Sequence, residues 1–302
     1  PFPREEYQAR LTRIRKRMAA ETIDLLFLTS PEAINYVSGY QCEWYQAQSP
    51  KQWPATSGIA IHVDHDRFIH FDTEREHILA RYCSVAKDIR IFPPDSMRDG
   101  TLFIVEQLKA EGWLPGTVGL ELWSYRPNRI LSHRTEDHFT AAGGVVVDAS
   151  HILRELRWVK SAAEMECIVE AARIADIGLG AAQAALRPGV TELEVYGVMV
   201  QAMATAGGEN PGITQPVLSG AKTCAAHAMS SRRGMQAGDI VLVDCSGGFK
   251  RYHCNMARTY SLGEPSADVK LQTDKAVGSM KLLGEMIRPN LPVREFYETM
   301  NA

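Results

Sequence analysis

No stretch of this chain approaches the roughly 18 apolar residues of a membrane-spanning helix. Its first residues, PFPREEYQARL, are too polar and charged for a secretory signal. The six cysteines, at 42, 83, 167, 224, 245 and 254, form no CxxC pair. That spacing argues against a disulfide framework or a zinc site and for isolated thiols in a reducing cytoplasm. Basic residues are scattered, Arg232-Arg233 is too short to be a patch, and the formal net charge is -3. Neither nucleic acid nor an anionic membrane is therefore expected as a partner. There is no internal repeat at a short period and no low-complexity tract. What remains is ordinary for a globular protein, 45% hydrophobic and 23% charged, and 302 residues suit two domains.

Apolar residues at Tyr7, Leu11, Ile14 and Met18 recur at helical spacing and predict an amphipathic helix over 7–20. IDLLFLTS (23–30) suits a strand buried on both faces. Pro31 opens a short helix ending at Gly39, followed by strands at 58–64 and 67–72. Helical pattern returns at 73–82 and 98–111, with a strand at 117–122. This alternation predicts an α/β domain with a mixed sheet over residues 1–157.

The composition changes near Arg154–Ser161. Ser161 and Glu164 have capping-box spacing before a helix of more than twenty residues. Thr191 caps another helix reaching about Ala206. Strand and loop then run to about Leu262, and a helix covers 268–287. Residues 158–302 thus read as an α+β domain.

The chemistry concentrates in IVLVDCSGGFKRYHCNMARTYSLG (240–263), two strands around a Gly-containing loop. Asp244 ends the first strand in this reading. A carboxylate there can be a metal ligand, a general base or a satisfied turn residue. Polar groups eleven residues apart can meet across an antiparallel ladder, and two acids would suit a pair of divalent metals. Here the second position is Asn255, and a neutral amide binds transition metals poorly against water. A dinuclear site is disfavoured. His227 lies in AAHAM, where small neighbours leave room for a ligand. The loop GYQCEWYQAQSPKQWP (39–54) carries Trp44, Tyr45 and Trp53, able to wall a flat cation.

The segments KSAAEMECIVEAARIADIG, RPGVTELEV, LSGAKTCAAHAM, the 240–263 stretch and the N-terminal FPREEYQARLTRIRKRM together resemble the creatinase/prolidase family, along nearly the whole chain and in family order. The resemblance implies an α/β creatinase-like N-terminal domain and a pita-bread catalytic domain. KRYHCNMART and the Trp44-Tyr45 neighbourhood are most similar to the creatinase and ectoine hydrolase branch, which cleaves C–N bonds without a metal. The aminopeptidase P and prolidase branch uses metal, here Mn, Co or Zn with Asp244 as ligand. The implied roles are His227 as proton shuttle and Asp244 as anchor for a cationic amidinium, nucleophile or base. Asn255 holds substrate or water or merely fills an old ligand position. Tyr252 and His253 lie beside it, His253 as plausibly structural as substrate-binding. Arg258-Thr259 matches a family feature expected to hold the strand pair together. The resemblance also implies a homodimer in which loop 39–54 reaches the partner's pocket. The family supplies a further His and two Glu beyond the helix at 287. The chain stops at Ala302, so the expectation is an incomplete catalytic domain, unstable or inactive alone. Three readings stay open: a metal-independent hydrolase of a small amidine, guanidine-like or cyclic nitrogen compound; a metal-dependent Xaa-Pro dipeptidase; and a non-catalytic binding protein on the same fold.

Overall fold

The computed structural model describes residues 2–41, 58–93, 100–123, 129–225 and 227–301. The chain divides into two compact units, residues 1–166 and 167–302.

The first unit is built on a six-stranded mixed sheet. Its strands are β1 (Leu25–Leu28), β2 (Gly58–His62), β3 (Phe68–Asp72), β4 (Asp88–Ile91), β5 (Gly116–Leu120) and β6 (Gly144–Asp148), in the order β4-β3-β2-β1-β5-β6. β2 runs antiparallel to β1 and β3, while β1–β5, β5–β6 and β3–β4 are parallel. The four residues of β1 are all buried because the strand has a hydrophobic core on each side. Leu26 and Leu28 point into a core with α1 (Arg4–Ala20), α2 (Pro31–Ser38) and α6 (Ser150–Leu156). Leu25 and Phe27 point the other way, against α4 (Gly100–Ala110) and α5 (Arg129–Ala141). Period-two alternation in an entirely apolar run explains why this strand shows no polar face. Ser30 caps α2 and Gly39 ends it at φ 76°, a left-handed position that favours glycine. The short α3 (His77–Cys83) completes the unit. β4, α5, β6 and α6 were not anticipated from sequence. β4 is only half-buried along its length and offers no clear alternation.

The second unit stacks two helices on a three-stranded antiparallel sheet. α7 spans Ala162–Ala185, and Ser161 and Glu164 make the anticipated reciprocal bonds at its start, 2.8 and 3.2 Å. α8 spans Glu192–Thr205, with a full capping box between Thr191 and Glu194. The sheet order is β7 (Val217–Ser219), β8 (Ile240–Phe249), β9 (Tyr252–Ser261). Ala175 and Ala182 of α7 and Val195, Met199 and Met203 of α8 bury against Val217, Val241, Val243 and Cys245. α9 (Ala267–Met286) and α10 (Val293–Asn301) follow. Among the described residues, no helix is long and apolar enough to cross a membrane.

Two sequence expectations change. β8 does not end at Asp244 but runs five residues further, through the Gly247-Gly248 pair read as loop. Gly247 is in the strand because α7 comes against it. A Cβ there would sit 2.0 Å from the Ala171 carbonyl oxygen. The turn is instead Lys250-Arg251, both at positive φ (49° and 65°), the two-residue geometry that matches strand twist. Two non-glycine residues in that conformation are strained. The Glu209 carboxylate offsets this by accepting both turn amides at 2.9 Å.

Candidate active site

The turn fixes the register of the hairpin, and the register fixes which side chains share a face. Asp244 pairs with Ala257, Ser246 with Asn255 and Gly248 with His253. Residues opposite one another in a ladder point to the same side. Asp244, Ser246, His253 and Asn255 therefore lie on one face of β8–β9. The other face carries Val241, Val243 and Cys245 into the helix-covered core. Tyr252, paired with Phe249, falls on that core side. The two-residue turn leaves Asp244 and Asn255 diagonal rather than directly opposite. Diagonal neighbours on one face are typically about 7–8 Å apart, within reach of one small ligand.

Asp244 is only partly exposed, and its Oδ1 is buried with no hydrogen-bond partner among the described residues. Its backbone is firmly held: its N–H donates to the Pro216 carbonyl at 3.0 Å. Proline cannot donate in return, so β7's ladder fails beyond that point. The side chain of buried Gln215 takes over, its Oε1 accepting the Ser246 N–H at 2.9 Å. Gln215 Nε2 is likewise buried and without a partner among the described residues. The site thus holds a buried acceptor and a buried donor, flanked by Asn255. Such unsatisfied groups are costly in a folded protein and call for a ligand or a functional reason. Gln215 was not singled out from sequence. Only the Gln-Pro pair before a strand marks it.

His253 shares this face. Burial, reinforced by the nearby Arg251 charge, pushes its imidazole below the ordinary histidine range, and its Nε2 is buried without a partner among the described residues. On the opposite side, burial raises the Cys245 thiol to about 12, so it is an inert core residue. Arg258 is exposed and donates to the carbonyl of its own neighbour, Ala257, at 2.8 Å. Among the described residues it makes no hydrogen bond across the strand pair, where one was anticipated.

His227 lies on the loop between the single 3₁₀ turn at Gly220–Cys224 and Ser230. It is exposed and makes no hydrogen bond among the described residues. The base of that loop is tightly built around Glu192, the fully buried first residue of α8. Glu192 Oε1 accepts from the Ser219 N–H and hydroxyl at 2.8 and 2.7 Å. Oε2 accepts from the Ser231 N–H and hydroxyl, both at 2.8 Å, and from Lys222 Nζ. Burial works against the Glu192 charge, but the Lys222, Ser219 and Ser231 bonds outweigh it and hold the carboxyl below the ordinary glutamate range.

Trp44, Tyr45 and Trp53 lie outside the described residues. Of the other anticipated residues, Asp244, His253 and Asn255 share one β8–β9 face, His227 lies on its own loop, and Tyr252 and Arg258 take register positions on the opposite side of the hairpin. The face offers one carboxylate, Asp244, beside an amide, and among the described residues no cluster of three or more His, Cys, Asp or Glu can hold an ion.

Comparisons with known proteins agree with this architecture. The Creatinase/Prolidase N-terminal domain model matches residues 10–159, and the Metallopeptidase family M24 model matches 166–302. The chain is 29% identical over 276 residues to a creatinase of Bacillus sp. (strain B-0618), covering 88% of this chain and 62% of that protein. It is 24% identical over 286 residues to an Xaa-Pro dipeptidase of Pyrococcus furiosus, covering 95% and 74%. Among solved structures, the X-Pro aminopeptidase from Thermotoga maritima MSB8 superposes with a TM-score of 0.76 at 19% identity, over 90% of this chain and 70% of that one. The α/β creatinase-type unit followed by a pita-bread unit, matched by two family models over 10–159 and 166–302, places the chain in the creatinase/prolidase family, M24, whose members are hydrolases of carbon–nitrogen bonds.

Proposed function

We propose that this protein is a metal-independent hydrolase of the creatinase or ectoine hydrolase type, acting on a small amidine, guanidine-like or cyclic nitrogen compound. The observation that carries the reading is the Asp244 carboxylate, its Oδ1 buried and without a partner among the described residues, on a face shared with the neutral Asn255. One anion beside one amide suits an organic cation better than two metal ions. In a partly closed site the carboxylate anchors the amidinium by charge. Asn255 and Gln215 Nε2 add hydrogen bonds to the substrate or to water. His227 then takes a proton from water as its oxygen bonds to the carbon, and returns it to the leaving nitrogen as the C–N bond breaks. An exposed imidazole with no hydrogen bond among the described residues suits both steps. Trp44 and Tyr45 are read as walls against the cation, His253 as a neutral neighbour of the substrate. The protein is read as a cytoplasmic homodimer in which loop 39–54 meets the partner's site.

The second reading, a metal-dependent Xaa-Pro dipeptidase, draws on the similarity to the Pyrococcus furiosus dipeptidase and would use Asp244 as a ligand. Turnover of creatine, ectoine and a set of Xaa-Pro dipeptides, with and without chelator, separates the two. Chelator-resistant cleavage of creatine or ectoine is the expected result. Cleavage of dipeptides alone, abolished by chelator and restored by Mn, would overturn it. No turnover of any compound would favour a binding protein on the same fold.

A further inference from the structure

The loop that carries His227 is closed by a built polar device. Lys222 lies before the histidine and Met229–Ser231 after it. Lys222 Nζ reaches across to donate to the Met229 carbonyl and the Ser231 hydroxyl, both at 2.9 Å, and to Glu192. Glu192 in turn receives the Ser231 and Ser219 donors already described, so one carboxylate of α8 grips both ends of the loop. Ser230 Oγ accepts the Val217 N–H at 2.8 Å and ties the far end to β7. Arg233 donates to Ser219 at 2.6 Å and pairs with Asp239 at 2.6 Å, bracing the same strand. Between the two gripped ends the described residues are linked at short range: Thr223 donates to the Gly220 carbonyl, Ala225 N–H to the Lys222 carbonyl, and Ala228 N–H to the Ala225 carbonyl.

The design is informative because burying a carboxylate and an ammonium is expensive unless each is fully satisfied. Packing alone would close a ten-residue loop with apolar side chains. Here the charges sit at the two residues that set the loop's span, and His227 is left outside the network. We infer that Glu192 and Lys222 are positioning residues that hold the His227 loop at a fixed span so that the imidazole meets its proton donor and acceptor in one place. The inference rests on His227 being the proton shuttle. Misplacement of such a group by about 1 Å is enough to cost on the order of 10²-fold in rate.

The test is a double-mutant cycle in the whole protein, using the panel compound with the highest turnover. His227→Ala should remove most of the activity. Lys222→Met should lower kcat roughly 10- to 100-fold with KM changed less than about twofold, and should cost nothing further when added to His227→Ala. Hydrogen exchange should show faster amide exchange over 223–228 in Lys222→Met, with β8–β9 unchanged. Glu192→Gln should act in the same direction. If it fails to fold, Lys222→Met alone decides. Wild-type kcat in a folded Lys222→Met, or an equal loss in the presence and absence of His227, overturns the positioning role and leaves the shuttle reading standing. Wild-type turnover in His227→Ala overturns the shuttle reading itself, and the positioning role with it.

Discussion

Two carboxylates of the second unit, one opening α8 and one on β8, are treated in opposite ways. Glu192 is fully buried, and its two oxygens together accept five donors from three residues, Ser219, Ser231 and Lys222. Asp244 is more exposed, and yet one of its oxygens is buried with no partner among the described residues. A protein that can surround one carboxylate with five donors is able to supply donors for another. Leaving Asp244 Oδ1 without a donor is a cost on folding that the proposed chemistry would account for. The satisfied acid builds the frame, and in the proposed function the other acid faces the substrate.

The largest effect should come from breaking the frame. Glu192→Ala leaves Lys222 Nζ without its carboxylate partner and Ser219 and Ser231 without their acceptor. Lys222 is partly exposed and keeps the Met229 carbonyl and Ser231 hydroxyl, so the cost comes mainly from the buried donors left unsatisfied, and we expect a loss of about 1–3 kcal/mol in denaturant unfolding. A loss below about 1 kcal/mol would mean that water or a neighbour replaces the carboxylate, and the contrast with Asp244 would collapse.

Asp244→Asn should do the reverse. It removes a charge that has little local compensation, so folding stability should stay within about 1 kcal/mol of wild type or rise slightly. Turnover should fall on the order of 10²- to 10³-fold, as for loss of a preorganised charge at a reacting centre. The comparison fails if Asp244→Asn unfolds the protein while leaving kcat intact, because Asp244 would then be a structural acid like Glu192.

The asymmetry between these residues was only half visible in the sequence. The VLVD run and the Asp-to-Asn spacing announced a polar face at the end of an apolar strand, and the capping residues Ser161 and Thr191 announced the starts of α7 and α8. Glu192 looked like an ordinary first-turn acid after Thr191, because its partners come from residues 27 to 39 positions away. Gln215 stayed hidden for the same reason, being 31 residues from the amide it serves. The hairpin was foreseen, but its turn was placed at the glycines. Lys250-Arg251 has none of the usual turn chemistry, and the reason for Gly247 is a helix backbone arriving from elsewhere in the chain.

The smallest effect, and the finest separation of frame from face, lies in the acid limb of stability. His253 has a folded-state imidazole held below its ordinary value near 6.5. As pH falls through 6.5 the unfolded chain takes up a proton that the folded one refuses, so stability declines from there downward. Glu192 has a folded-state carboxyl held below its ordinary value near 4.5. Its stabilising contribution is present above 4.5 and is lost as pH falls below it, since the unfolded chain again protonates first. Unfolding free energy measured from pH 8 to pH 3 should therefore decline in two stages. His253→Gln should flatten the upper stage, and Glu192→Gln the lower. If His253→Gln leaves the slope between pH 6.5 and 5 unchanged, the imidazole is solvated in the folded state and cannot be a neutral neighbour of a cationic substrate on the Asp244 face.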